Sequence, residues 1–237
     1  MTHYLLPDAS PRRLVFYLAM EEYVADTFGE GFFSWRVSPT VIFGRNQDIE
    51  AEVNLQYCRE AGVQCYRRKS GGGCVYSDMG NIMLSCIVPG TDVKAIFGRY
   101  LDTLAGALRD LGFDASRTEH NDVLVGDRKV SGNAYFARGG TGIVHGTLLY
   151  DTDFGEMQKC ITPSREKLES HGVKSVRQRV ENLRGLGLKM SCEELQSYLI
   201  GRFTDSARIL TADDLRAIEE IEREYLDPSF ILGRRQL

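Results

Sequence analysis

At 237 residues, 43% of them hydrophobic and 26% charged, the chain is sized for one large domain or two small ones and can bury a substantial core. A net charge of −4 with a pI near 5.7 argues against a general nucleic-acid binder, and no run approaches the ~20 apolar residues of a membrane span. The N-terminus has no basic segment followed by an apolar one, so no secretion signal is read. The six cysteines form no CxxC pair and the four histidines are dispersed, so no zinc spacing emerges. Reduced thiols in a cytoplasmic protein are the simplest reading.

In chain order, Ser10-Pro11 reads as the N-cap and first residue of a helix to about Phe28. Phe32–Val37 and Thr40–Phe43 read as strands joined by Ser38-Pro39, and Gly44–Gln47 as a polar exit loop. Glu52–Ala61 reads as a helix stopped by Gly62, and Val63–Arg68 as a strand leading into Ser70-Gly71-Gly72-Gly73. The apolar run Asn81–Val88 is a buried strand. Val93, Ile96, Phe97, Tyr100, Leu101, Leu104, Leu108 and Leu111 then recur at helical spacing up to Gly112. Val123–Val125 and Arg128–Val130 flank Gly126-Asp127 as a tight hairpin, and Ile143–Tyr150 is a further strand. Beyond Asp151 the chain turns helical and charged. Ser191 with Glu194 forms a capping box for a helix to about Phe203, and Thr211 starts another to about Tyr225. No repeat or linker interrupts 1–237, so one α+β domain is expected, sheet-rich over 1–150 and helical over 151–237.

Three segments carry more polar and glycine residues than packing requires. In RRKSGGGCVYSDMGN, three glycines leave nearly bare backbone that a bulky anion can approach. The three cations before them can neutralise a phosphate or carboxylate, or the stretch can be a plain hairpin with a solvated basic face. In HNDVLVGDRKVSGNAY, strand alternation sets Lys129 opposite Val130; it either holds an anion in a cleft or guards an exposed edge. In HGTLL, His145 is either a pocket residue or a satisfied core histidine. The sequence shows no nucleophile–base–acid set. It also lacks the GxxxxGK[ST] and GxGxxG phosphate loops.

These three motifs, in this order and spacing, resemble the lipoate–protein ligase family. Supporting similarity runs through Phe33–Val63 and GVKSVRQRVENL at Gly172–Leu183, so the resemblance covers most of residues 14–185. It implies a mixed sheet flanked by helices, as in biotin protein ligases and class II aminoacyl-tRNA synthetase catalytic domains. It also implies ATP-dependent activation of lipoate to lipoyl-AMP, then transfer to a lysine of a lipoyl domain. The acceptors implied are 2-oxoacid dehydrogenase subunits or the glycine-cleavage carrier.

By the same resemblance, Lys129 contacts the carboxylate and phosphate oxygens. Arg68 and Gly71–Gly73 wrap the acyl chain, and Val75 and Tyr76 line its tunnel. Asn121 and Asp122 lie near the adenylate, with Asp122 a magnesium ligand, and His145 matches a pocket residue. Ser70, Ser131, Gly132, Ala134, Gly146 and Thr147 complete the expected substrate contacts. Relatives that pass an acyl group through a cysteine thioester place it just before the lysine motif or the HG dipeptide. Here those positions read Arg117–His120 and Gly142–Val144, without cysteine, and Cys74 reads as a small packing residue. Asp227–Gly233 stands about where many ligases begin a C-terminal accessory domain, so a separate accessory chain is a further expected partner. The alternatives left open are a transferase using lipoyl-AMP or octanoyl groups and a non-catalytic carrier.

Overall fold

The computed structural model describes residues 1–162 and 180–233; of the Gly172–Leu183 similarity, the part up to 179 lies outside the described residues. The chain opens with β1 (Thr2–Leu5) and α1 (Leu14–Phe28). Helix α1 starts later than Pro11 because the Ser10 N–H is taken by Asp8 at 2.8 Å and Ser10 caps nothing. Next come β2 (Gly31–Trp35) and β3 (Thr40–Phe43). The helix expected over 52–61 is two, α2 (Ile49–Glu52) and α3 (Leu55–Glu60), because the Asn54 side chain accepts from the Tyr57 N–H at 3.1 Å and starts a new helix.

β4 (Gln64–Arg67) and β5 (Val75–Ser77) bracket the glycines, and β6 (Asn81–Pro89) follows. α4 (Val93–Asp110) buries Ile96, Tyr100, Leu101, Leu104 and Leu108. Val93, expected on that face, is exposed at the first turn. β7 (Ala115–Arg117), β8 (Asp122–Val125), β9 (Arg128–Arg138), β10 (Thr141–Leu149) and α5 (Phe154–Cys160) come next. Last are α6 (Cys192–Phe203), β11 (Ser206–Ile209), α7 (Ala212–Leu226) and α8 (Pro228–Leu232). Capping boxes start α6 at Ser191–Glu194 and α7 at Thr211–Asp214. β11 adds one short strand to a last third read as mostly helical: it runs parallel to β1, Leu5 facing Ile209.

Eight strands form one mixed sheet in the order β11-β1-β2-β6-β10-β9-β8-β7, and β4-β3-β5 form a second. This is the expected α+β class. Alternation sorts the side chains. Ile82, Leu84 and Cys86 of β6 face a first core with α4 and α6, while Met83 and Ile87 face a second with α1 and α7. The small sheet divides likewise, with Ile42, Tyr66 and Val75 toward the second core and Val41, Phe43 and Tyr76 toward a third. Among the described residues no helix is long and apolar enough to cross a membrane.

Candidate active site

The three cations before the glycines do not stand free to meet an anion; each is engaged by the protein. Arg67 donates through Nε to the Phe230 and Ile231 carbonyls, both at 3.0 Å. Its Nη1 donates to Gly44, Arg45 and Gln47 carbonyls at 3.2, 2.9 and 2.8 Å. Lys69 pairs with Glu22 at 2.9 Å and Glu224 at 2.7 Å. Arg68, 5% exposed, donates to the carbonyls of Gly71 (2.7 Å), Gly73 (2.7 Å) and Ile42 (3.3 Å). Burial brings its guanidinium pKa down to about 10. The cations therefore build the loop, each through partners within the chain.

Arg68 gives the loop its direction. A trans peptide sets N–H and C=O antiparallel, so the Gly72 N–H points away from the guanidinium that holds the Gly71 carbonyl. Gly72 lies at φ +91°, and a Cβ there would stand 2.9 Å from Arg68 Nη2. A Cβ on Gly44 would collide with the Gly72 carbonyl oxygen. Gly44, read from sequence only as part of an exit loop, is thus a floor for the glycines.

Lys129 is aimed by a β-bulge. Asp122 pairs with Gly132 and Val123 with Ser131, but Leu124 pairs with Lys129, leaving Val130 as the extra residue. Val130 and Ser131 consequently lie on the same face, toward the first core, and Lys129 swings to the face of Gly132. A Cβ at Gly132 would meet Lys129 Nζ at 2.7 Å, and Nζ lies 2.7 Å from Asp122 Oδ1. The glycine is therefore room for the lysine. β9 lies between β8 and β10, which removes the edge-strand reading of Lys129. Glu181 N–H bonds to the Lys129 carbonyl at 3.0 Å, bringing the end of the Gly172–Leu183 similarity alongside.

Register puts Asp122, Gly132, Thr147, Met83 and Trp35 in one row across five strands. Two residues along, about 7 Å away on the same face, lie Ala134, His145, Ser85 and Phe33. Ser131 and Asn133 point to the opposite face. Asn133 bonds Ser131 there, its Nδ2 donates to the Asn121 carbonyl at 2.9 Å, and Asn121 donates back to the Asn133 carbonyl. Gly146 leaves room for Asn133 Oδ1, with which a Cβ would collide. The expected contacts Ser131, Asn121 and Gly146 thus support the sheet beneath Lys129. Tyr76 packs into the third core rather than beside Val75.

His145 joins partners that sequence reasoning left apart. Its Nε2 lies 2.7 Å from Ser70 Oγ and its Nδ1 2.7 Å from Glu21 Oε2 on α1. Ser85 Oγ donates to Glu21 Oε1 at 2.6 Å and accepts from Trp35 Nε1 at 2.9 Å. A hydroxyl–imidazole–carboxylate chain is therefore present, which the sequence did not show. No spacing signals it, because Glu21, Ser70 and His145 come from a helix, a loop and a distant strand. His145 is also, as one reading had it, a buried histidine with both nitrogens partnered.

All six cysteines are thiols and pack in the first or third core, away from the core under the site. Burial pushes the Cys86 and Cys160 thiols up to about 12, with Cys58 adding to the effect at Cys160. Neither is a poised thiolate.

Residues 14–204 match the family described as Lipoyl protein ligase A/B catalytic domain. The chain is 35% identical over 219 residues to lipoate-protein ligase LplJ of Bacillus subtilis, covering 87% of this chain and 66% of that protein. It therefore spans just under two thirds of that relative's length. Among solved structures it is similar to a bi-partite lipoate protein ligase from Thermoplasma acidophilum. There the TM-score is 0.85 at 27% identity, covering 100% of this chain and 98% of that one. A Thermoplasma acidophilum protein solved with bound lipoic acid gives a TM-score of 0.84 at 25% identity, covering 99% and 100%. The chain belongs to the lipoyl protein ligase A/B catalytic domain family.

Proposed function

We propose that this chain joins lipoate to ATP as lipoyl-AMP, releasing pyrophosphate, and passes the lipoyl group to a lysine amine of a lipoyl domain. The observation that carries the reading is Lys129, aimed by the bulge over Gly132 and steadied by Asp122 at 2.7 Å. The first step must bring a carboxylate against a phosphate. Two unit charges of one sign 4 Å apart repel by about 4 kcal/mol at an effective dielectric near 20. A fixed ammonium at that junction offsets the repulsion and grows in effect as charge builds on the reacting oxygens. The Gly72 N–H, turned away from Arg68, is a second donor for the activated end. Met83 and Phe33 on the same face offer apolar surface to the acyl chain.

Magnesium enters this reading with ATP. Asp122 offers one carboxylate, and among the described residues no three-donor cluster accompanies it. That suits an ion held by one protein oxygen and phosphate oxygens rather than a closed protein cage. Likeness to the bi-partite ligase and its lipoyl domain supports a lipoyl domain as acceptor and a separate accessory chain as partner. Pyrophosphate release on mixing the chain with ATP and lipoate, with and without such an accessory chain, tests the first step. Release that depends on lipoate is expected, and no release in either mixture removes the reading.

A further inference from the structure

Ser70, His145 and Glu21 have no part in adenylation as proposed above, yet they are built with care. All three are buried, at 2%, 8% and 2% exposure. A carboxylate on Nδ1 favours the tautomer with its proton there, leaving Nε2 to accept the Ser70 hydroxyl proton. Glu21 is itself fixed: Oε2 faces the imidazole while Oε1 accepts from Ser85, which Trp35 holds in turn. A serine that merely satisfied a core histidine would not call for a carboxylate behind it, since burying that charge is costly. The set also stands where acyl chemistry would occur. His145 is one row from Thr147 and Gly132, over which Lys129 lies, and Ser70 immediately precedes the glycine loop.

We propose that Ser70 is a nucleophile activated by His145 and Glu21. It gives the chain a second, ATP-independent activity: hydrolysis of activated acyl groups, thioesters or acyl-phosphate anhydrides, through an acyl-serine. Ser70 Oγ adds to the acyl carbonyl carbon as its proton passes to His145 Nε2, and Glu21 stabilises the resulting imidazolium. Collapse breaks the bond to the leaving group. A thiol departs with the proton from Nε2; a phosphate departs as the anion and Nε2 releases its proton to solvent. Water then adds to the acyl-serine, giving a proton to Nε2, and the second collapse returns that proton to Oγ and frees the carboxylic acid. Nothing is oxidised or reduced, and water is the only co-reactant.

The test uses the purified chain without ATP. S-octanoyl-N-acetylcysteamine serves as substrate and a fluorophosphonate as trapping reagent, with peptide mapping by mass spectrometry. Labelling of Ser70 is expected, as is an octanoyl ester there that survives neutral hydroxylamine, which would strip a thioester. Glu21→Gln is expected to lower hydrolysis by about 100-fold or more while keeping the wild-type circular dichroism spectrum. Ser70→Ala should abolish hydrolysis; if that variant does not fold, the site of the wild-type adduct decides. An adduct on Cys74, no adduct at all, or undiminished hydrolysis by folded Ser70→Ala would overturn the proposal. Pyrophosphate release measured on the same preparations keeps this outcome separate from that of the ligase reading.

Discussion

Gly44 and Gly72 meet backbone to backbone: a Cβ on Gly44 would collide with the Gly72 carbonyl oxygen and stand 3.1 Å from its carbon. The obstacle is main chain, and Gly72 yields only together with the loop, because Arg68 holds the carbonyls of its two neighbours, Gly71 and Gly73. Gly44→Ala is therefore expected to displace the loop. Calorimetry should show lipoate affinity falling at least about tenfold, or about 1.4 kcal/mol, with little change in melting temperature. Unchanged affinity in the folded variant would mean that the loop makes no contact with the ligand.

Lys129→Ala removes the ammonium placed over Gly132. A preorganised charge of this kind is worth on the order of 2.7–4 kcal/mol in the transition state, so adenylation should drop by about two to three orders of magnitude. Far-ultraviolet circular dichroism should stay that of the wild type. Near-normal adenylate yield from the folded variant would remove Lys129 from the chemistry.

The main lines of the fold were readable because its long elements repeat cleanly: α4 at helical spacing, β6 and β10 as apolar runs, α6 from its capping box. β11 was not readable, since Ser206–Ile209 is only 4 residues long and exposed throughout, too short a run to signal a strand. In the site, Lys129 and the glycines were legible as chemistry, but their geometry was not. A one-residue bulge at Val130 decides which face Lys129 takes, and nothing local announces it. The partners of Arg67 and Lys69 were not readable, because the Phe230 and Ile231 carbonyls and Glu22 and Glu224 lie far away in sequence. Glu21 hid inside an apolar helix for the same reason.

Arg67 ties α8 to the glycine-loop strand through two carbonyls and holds three more near Gly44. Each buried carbonyl left without its donor costs about 1–3 kcal/mol. Arg67→Ala is expected to loosen residues 228–233 ahead of global unfolding. Faster amide exchange confined to that segment and to 44–47 would show it, and exchange unchanged there would refute the tie.

Burial holds Cys86 neutral in the folded chain up to about pH 12, from an ordinary value of 9.0. Above pH 9 the unfolded chain releases this proton and the folded chain keeps it. The folded state then binds more protons, and stability falls as pH rises. The loss runs from about pH 9 toward 12, at most about 4 kcal/mol from this thiol. Urea midpoints at about pH 8 and about pH 10.5 should drop for the wild type and drop less for Cys86→Ala. Equal drops would place the alkaline loss elsewhere.

The central claim is that this site makes lipoyl-AMP and delivers its acyl group to a lysine. Intact-mass and peptide analysis of a lipoyl domain tests it most directly, in two parallel reactions. One contains the chain, ATP, magnesium and lipoate, with and without an accessory ligase chain; the other contains the chain and synthetic lipoyl-AMP. Lipoylation of a single lysine is expected in both, lost with Lys129→Ala in the first. A lipoyl domain left unmodified in both reactions by folded protein would contradict the account.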